Sequence, residues 1–119
     1  MEKLIGFSRA CRIDSLIAVA GTAAIGLDGK TVGIGDVYQQ TKYCIEIMKK
    51  AIEEAGGSLH NVIRTRIMLV DMSTWKEAAK AHGEFFSDIR PVCSFVEVKG
   101  FISKEWLVET EADCVLESV

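Results

Sequence analysis

The chain has one proline, Pro91, and two histidines, His60 and His82. With so little proline and no low-complexity stretch, there is no linker from which a second domain could hang. The four cysteines, at 11, 44, 93 and 114, are never spaced as C-x-x-C. Together with two histidines they give neither the number nor the spacing of ligands that a zinc site needs, so no metal is expected. They read as free thiols of a reducing compartment, several of them buried. Positive charge is also short: 14 Lys and Arg face 17 Asp and Glu, for a net charge of −3. No basic face stands out, which sets nucleic acid aside as a partner. No apolar run approaches the roughly 20 residues of a membrane helix. The stretch from Met1 to Gly6 lacks the basic-then-apolar pattern of a signal peptide. The expectation is a cytoplasmic protein that does not engage a membrane. The glycines at 26, 29, 33 and 35 form no G-x-G-x-x-G fingerprint, which argues against a nucleotide loop.

What is present is enough for one domain, residues 1–119, with a core that needs neither disulfide nor metal. Residues 3–10 and 15–21 read as two short strands, joined as a hairpin through Arg12-Ile13-Asp14-Ser15. Leu27-Asp28-Gly29-Lys30 carries an Asp-Gly turn signal. Asp36 is a good helix N-cap, and Gln39 three residues on completes a capping-box pattern. From there Val37, Thr41, Cys44, Ile45, Met48, Ala51, Ile52 and Ala55 make an apolar stripe at helical spacing. Gly56-Gly57 ends that helix.

The segment from Asn61 to Asp71 alternates as a strand does. Ile63, Thr65, Ile67 and Leu69 make the face that receives a helix. Val62, Arg64, Arg66, Met68 and Val70 make the other. A second helix starts near Ser73 or Thr74, with Trp75, Ala78, Ala79, His82, Phe85 and Phe86 as its buried stripe. Pro91 stops the chain from continuing as helix. Two more strands follow, Pro91–Val98 and Val108–Asp113. The order is β-β-α-β-α-β-β, which predicts an α+β, two-layer fold: a mixed sheet with two helices on one face.

Two helices cover one side of such a sheet. The alternation is read as collecting Arg64, Arg66, Met68, Cys93, Phe95, Glu97, Glu109, Glu111 and Asp113 on the other. A surface that mixes apolar bodies with both charge signs points to an oligomer interface with ion pairs at its edge.

The order of elements and several short stretches resemble the RidA (YjgF) family along nearly the whole chain. The stretches are Ile5-Gly6-Phe7-Ser8-Arg9-Ala10, Asp36-Val37-Tyr38-Gln39-Gln40-Thr41, Ala55-Gly56-Gly57-Ser58-Leu59, Val70-Asp71-Met72, Phe85-Phe86, Pro91 to Val98, and Val108-Glu109-Thr110-Glu111-Ala112. The resemblance implies a chorismate-mutase-like fold and a homotrimer. The sheets pack inside, the helices lie outside, and clefts for small molecules lie between subunits. It further implies hydrolysis of reactive enamines and imines to a 2-keto acid and ammonia, with no metal or organic cofactor.

In that family an arginine within Pro-x-Arg-Ser grips the substrate carboxylate, a task suited to its planar fork of donors. Here the motif reads Pro91-Val92-Cys93-Ser94, so the position holds a thiol, a weak donor without fixed charge. The family's water-positioning acid corresponds to Glu109, and a common tyrosine corresponds to Phe7. The expected site is therefore Glu109 as the catalytic acid or base, with Phe7, Cys93 and Arg66 contacting substrate. Arg64 and Arg66 read first as partners of Glu109, Glu111 or Asp113 in ion pairs between subunits; in the alternative Arg66 stands in for the absent arginine, and Arg9 and Arg90 are further cations near the strand ends. Cys93 as a nucleophile would need a nearby base, and no histidine is placed to serve. His82 reads as a half-buried, satisfied histidine and His60 as solvated. Ribonuclease activity has been attached to the family name. This acidic chain has no pair of histidines in place for phosphodiester cleavage. The competing reading is a trimer that binds or senses a small ligand without turning it over.

Overall fold

The computed structural model describes residues 2–117; Met1, the first residue of the N-terminal stretch considered above, lies outside them, as do Ser118 and Val119. A short helix α1 (Glu2–Ile5) precedes β1 (Ala10–Ile13) and β2 (Leu16–Thr22). Then come α2 (Val37–Glu54), β3 (Val62–Leu69), α3 (Trp75–Phe86), β4 (Val92–Glu97) and β5 (Val108–Val115). The strands form one sheet in the order β1-β2-β5-β3-β4. All neighbours are antiparallel except β3 and β4, which run parallel with α3 as their crossover. The α+β, mixed-sheet expectation holds.

The first strand does not lie at 3–10. It begins at Ala10, and residues 2–5 are helical. The hairpin closes tightly, with Ile13 opposite Leu16 and only Asp14 and Ser15 in the turn. Asp14 takes a φ of 53°, which aspartate tolerates better than most residues. That short closure carries the strand to Ile13, three residues past its expected end and into the stretch read as the connection.

The N-terminus of α2 is as expected: the Asp36 carboxylate accepts the Gln39 backbone N–H at 3.0 Å. This is half of the capping box, since the Asp36 backbone N–H donates to Gly33 O at 2.9 Å instead of to Gln39. At the other end Gly56 adopts a φ of 96°, which a Cβ would disfavour. Ile45, Met48 and Ile52 of α2 and Phe86 of α3 pack on Ile17, Val19, Ala112 and Cys114 of the sheet. Towards the other end Val37, Cys44 and Ala78 meet Ile67, Leu69 and Val108. Burial of each large side chain here contributes about 1.5–3 kcal/mol. The α3 stripe is shifted from the expected one: Ala81 is buried, whereas Trp75 is 44% exposed. His82 is half-buried as read, within hydrogen-bond distance of Thr65 Oγ1 (2.8 Å) and beside the Phe86 ring.

Two corrections concern the faces of the sheet. Between Val62 and Arg64 the register against β5 shifts, with Val62 opposite Cys114 and Arg64 opposite Asp113. Ile63 is therefore the extra residue of a β-bulge. It turns outward (53% exposed), and Val62 takes the core position that alternation had given it. The second correction is larger. In β4, Cys93 pairs with Thr65, Phe95 with Ile67 and Glu97 with Leu69, all on the helix side. Directly paired residues share a face. Phe95 packs edge-on against Trp75, and Glu97 accepts the Met72 N–H at 2.8 Å. Cys93, Phe95 and Glu97 thus leave the bare face, and Val92, Ser94 and Val96 take their places beside Arg64, Arg66 and Met68. Parallel pairing to β3 fixes this parity, and neither strand's own alternation reveals it.

Candidate active site

The bare face of the sheet carries two ion pairs. Arg66 is bonded to Glu111, directly opposite it, and Arg64 Nε lies 3.8 Å from Asp113. Both are partly solvated, so each contributes only tenths of a kcal/mol up to about 1 kcal/mol. Their effect on the site is more important. They occupy the two arginines of β3, including Arg66, the cation expected to contact substrate. Neither pair includes Glu109, which sits opposite Met68 where β5 begins.

Glu109 is placed from two directions. Behind it, buried Gln40 of α2 donates from Nε2 to Gly33 O (3.2 Å) and Glu105 O (2.9 Å). Its Oε1 accepts Leu107 N–H at 2.9 Å. One amide thus ties the helix to the segment that enters β5. Beside Glu109, β2 carries a bulge. Val19 pairs with Ala112 and Thr22 with Thr110, so Ala20 and Gly21 share the place opposite Glu111. Gly21 lets the carboxylate come close: a Cβ built there would stand 2.8 Å from Glu109 Oε1. Burial pushes the Glu109 carboxyl above its ordinary range, and the charge of Arg9 draws it partly back.

Arg9 lies on the same glycine. Its Nη1 donates to Gly21 O at 2.7 Å and to Thr22 Oγ1 at 3.2 Å. The Phe7 ring lies 5.5 Å from its guanidinium carbon. The structure therefore gathers Phe7, Arg9, Gly21, Met68 and Glu109. Arg66 is one pair further along the same face and is held by Glu111. Cys93 is exposed on the opposite face, in the edge strand, so one chain does not bring it to Glu109. The buried thiols are unsuited to nucleophilic work. Burial pushes Cys114 up to about 11, and burial with the Glu109 charge pushes Cys44 up as well. Arg9 had been named only as a nearby cation, and Gln40 and the Gly21 bulge were missed. A lone glycine inside a strand is the usual mark of a bulge or a close approach, so the signal for Gly21 was there.

A mixed five-stranded sheet with helices packed on one face defines the class: a small two-layer α+β domain. The family is then plain. The family model described as Endoribonuclease L-PSP matches residues 1–116, and the chain belongs to that family. The fold matches the crystal structure of a Mycobacterium tuberculosis member of the YjgF family, with a TM-score of 0.87 and 40% identity over 97% of this chain and 91% of that one. An uncharacterized protein of Streptomyces coelicolor is 38% identical over 94% of this chain and 83% of its own length. The 3-aminoacrylate deaminase RutC of Acinetobacter baylyi is 29% identical, over 84% of this chain and 79% of its own. The RidA (YjgF) resemblance read from the motifs is therefore correct.

Proposed function

We propose that three copies of this chain pack their bare sheet faces together and that the seams form clefts in which Glu109 directs hydrolysis of a small imine or enamine. The observation that carries this reading is Glu109 itself. It is half-buried, it lies outside both sheet ion pairs, and its carboxyl holds a proton to higher pH than an ordinary glutamate. Such a group can take a proton from attacking water and return it to departing ammonia. The balance is simple: an enamine first gains a proton at its β-carbon and loses one from nitrogen to become the imine; water then adds across C=N, the C–N bond breaks, and a carbonyl compound and ammonia leave. A deaminase among the relatives supports the same chemistry.

Assembly is supported by exposed Ile13, Leu16, Val92 and Val96, spread over the unpartnered face. Phe7 would line the cleft beside Glu109. Cys93, on the edge strand, would enter it from an adjoining copy. The test has two parts. Sedimentation should give a trimer at micromolar concentration. 2-Aminoacrylate, generated by a serine or threonine dehydratase, should release keto acid faster with the protein than without it, and Glu109→Gln should remove the acceleration. Release at the spontaneous rate would overturn the deaminase reading.

One observation favours a second reading, a trimer that binds a small ligand without chemistry. The position of the family's carboxylate grip holds Cys93, and Arg66 is committed to Glu111. Ligands detected by thermal shift, with no turnover of any, would establish it.

A further inference from the structure

A groove of about 470 Å³ runs along the flank of α2, away from the bare sheet face's ion pairs. The size suits a small organic molecule. Helix α2 has two apolar stripes. One faces the sheet through Cys44, Ile45, Met48 and Ile52. The other, Tyr43, Ile47 and Ala51, faces the groove, whose opposite wall is Ile25 and the fully exposed Leu27. A leucine left wholly in water on a loop beside an apolar helix stripe loses the transfer energy that covering it would return.

The charges in the groove are unequal in kind. Glu46, Lys50 and Glu54 line it but are exposed, so solvent screens them. Arg9 lines it too and is half-buried. Its guanidinium is fixed by a carbonyl and a hydroxyl, both neutral. The nearby Glu2 carboxylate is engaged by the Arg9 backbone N–H at 3.1 Å. The groove thus holds a positioned cation that makes no salt bridge among the described residues and whose charge also acts on Glu109 at the neighbouring site.

We propose that this groove is a binding site for a small monocarboxylate with an apolar body, its carboxylate on Arg9 and its body between Tyr43, Ile47 and Leu27. An anchored guanidinium loses little freedom on binding, and a carboxylate matches its fork. Ile25, Leu27, Ile47 and Ala51 in the walls favour an apolar body over a small polar one. The site borders Glu109 through Arg9 but does not depend on any reaction there.

The test uses the full chain, methyl-labelled, with hexanoate and its uncharged analogue hexanamide as probes. Hexanoate should shift the Leu27 and Ile47 methyl signals saturably, at least ten-fold more tightly than hexanamide. Arg9→Gln should erase the difference between the two, and Arg9→Lys should keep its direction. Ile47→Asp leaves the bonds of Arg9 untouched and puts a carboxylate in the wall; it should abolish hexanoate binding. Equal affinity for acid and amide, a preference that survives Arg9→Gln, or unchanged binding to Ile47→Asp would overturn the site. Repeating the titration on Glu109→Gln separates this site from the proposed chemistry. Binding should persist there even if the wild type proves inactive on every imine. Its loss would move the ligand to Glu109 and refute the groove.

Discussion

Substituting Gly21 by alanine should separate the folding of this sheet from the placing of its acid. The new methyl group would lie 2.8 Å from Glu109 Oε1, with Met68 Cε next at 3.9 Å. To reach ordinary contact the carboxylate must retreat by about 0.6 Å or more. It is the far end of a flexible side chain, so the retreat itself costs little. Gly21 does not occupy the left-handed region, so alanine fits its backbone. Reduced freedom in the unfolded chain then returns about 0.4–1 kcal/mol. The two effects nearly cancel, and stability should stay within about 1 kcal/mol of wild type, read as the midpoint of urea unfolding. The site should not survive as well. A displacement of this size can lower a positioned catalytic group's rate on the order of ten- to a hundred-fold. Displaced towards water, the Glu109 carboxyl should titrate nearer its ordinary value, by carbon NMR of the labelled glutamates. If Gly21→Ala leaves both that titration and keto-acid release unchanged, Gly21 does not place Glu109, and the account of the site fails.

Gly57→Ala should destabilise by about 1–3 kcal/mol in urea melts, because its methyl meets Leu116, Ile17 and Ile52 side-chain carbons at 2.9, 3.1 and 3.1 Å, inside packed apolar contacts. Burial holds His82 below its ordinary 6.5, so the unfolded chain binds the extra proton first; stability should be full above about pH 6.5 and fall as pH drops through the folded value, and His82→Gln should flatten that part of the profile. Glu109 runs the other way: its raised carboxyl gives stability that is full below 4.5 and lost as pH climbs through the folded value, so Glu109→Gln should stabilise the protein more at pH 7 than at pH 4 in thermal melts, while removing any activity.

The helices and the element order were legible because helical spacing is local. Asp36, Gly56 and the Cys44-Ile45-Met48-Ile52 stripe each declare themselves within a few residues. The alternation of β5 was legible for the same reason: Glu109, Glu111 and Asp113 share one face as read, and Val108, Thr110 and Ala112 are buried on the other. What could not be read was how strands meet. The face assigned to Cys93 depended on its partner, and Thr65 is 28 positions earlier in the chain. Ile63 and Val62 look interchangeable until the bulge chooses between them. The short helix at Glu2–Ile5 replaced an expected strand because four apolar or charged residues carry too little period to decide. In the site, Glu109 came from the motif alone. Arg9 became its neighbour only through the bulge at Gly21, which is a property of the β2–β5 pairing.

The supernumerary Ile63 also bears on how this polypeptide can vary in length. From Arg64 to Leu69 the strand keeps strict parity with both neighbours, and Val62 already sits on the inner side. Excising Ile63 would join Val62 to Arg64 with inside followed by outside, so nothing downstream would need to turn over. At most other positions in β3 the loss of one codon would swap the whole interior of the strand for its surface. The kink in the ladder is therefore a splice point at which descendants of this gene can drop a residue and keep their architecture.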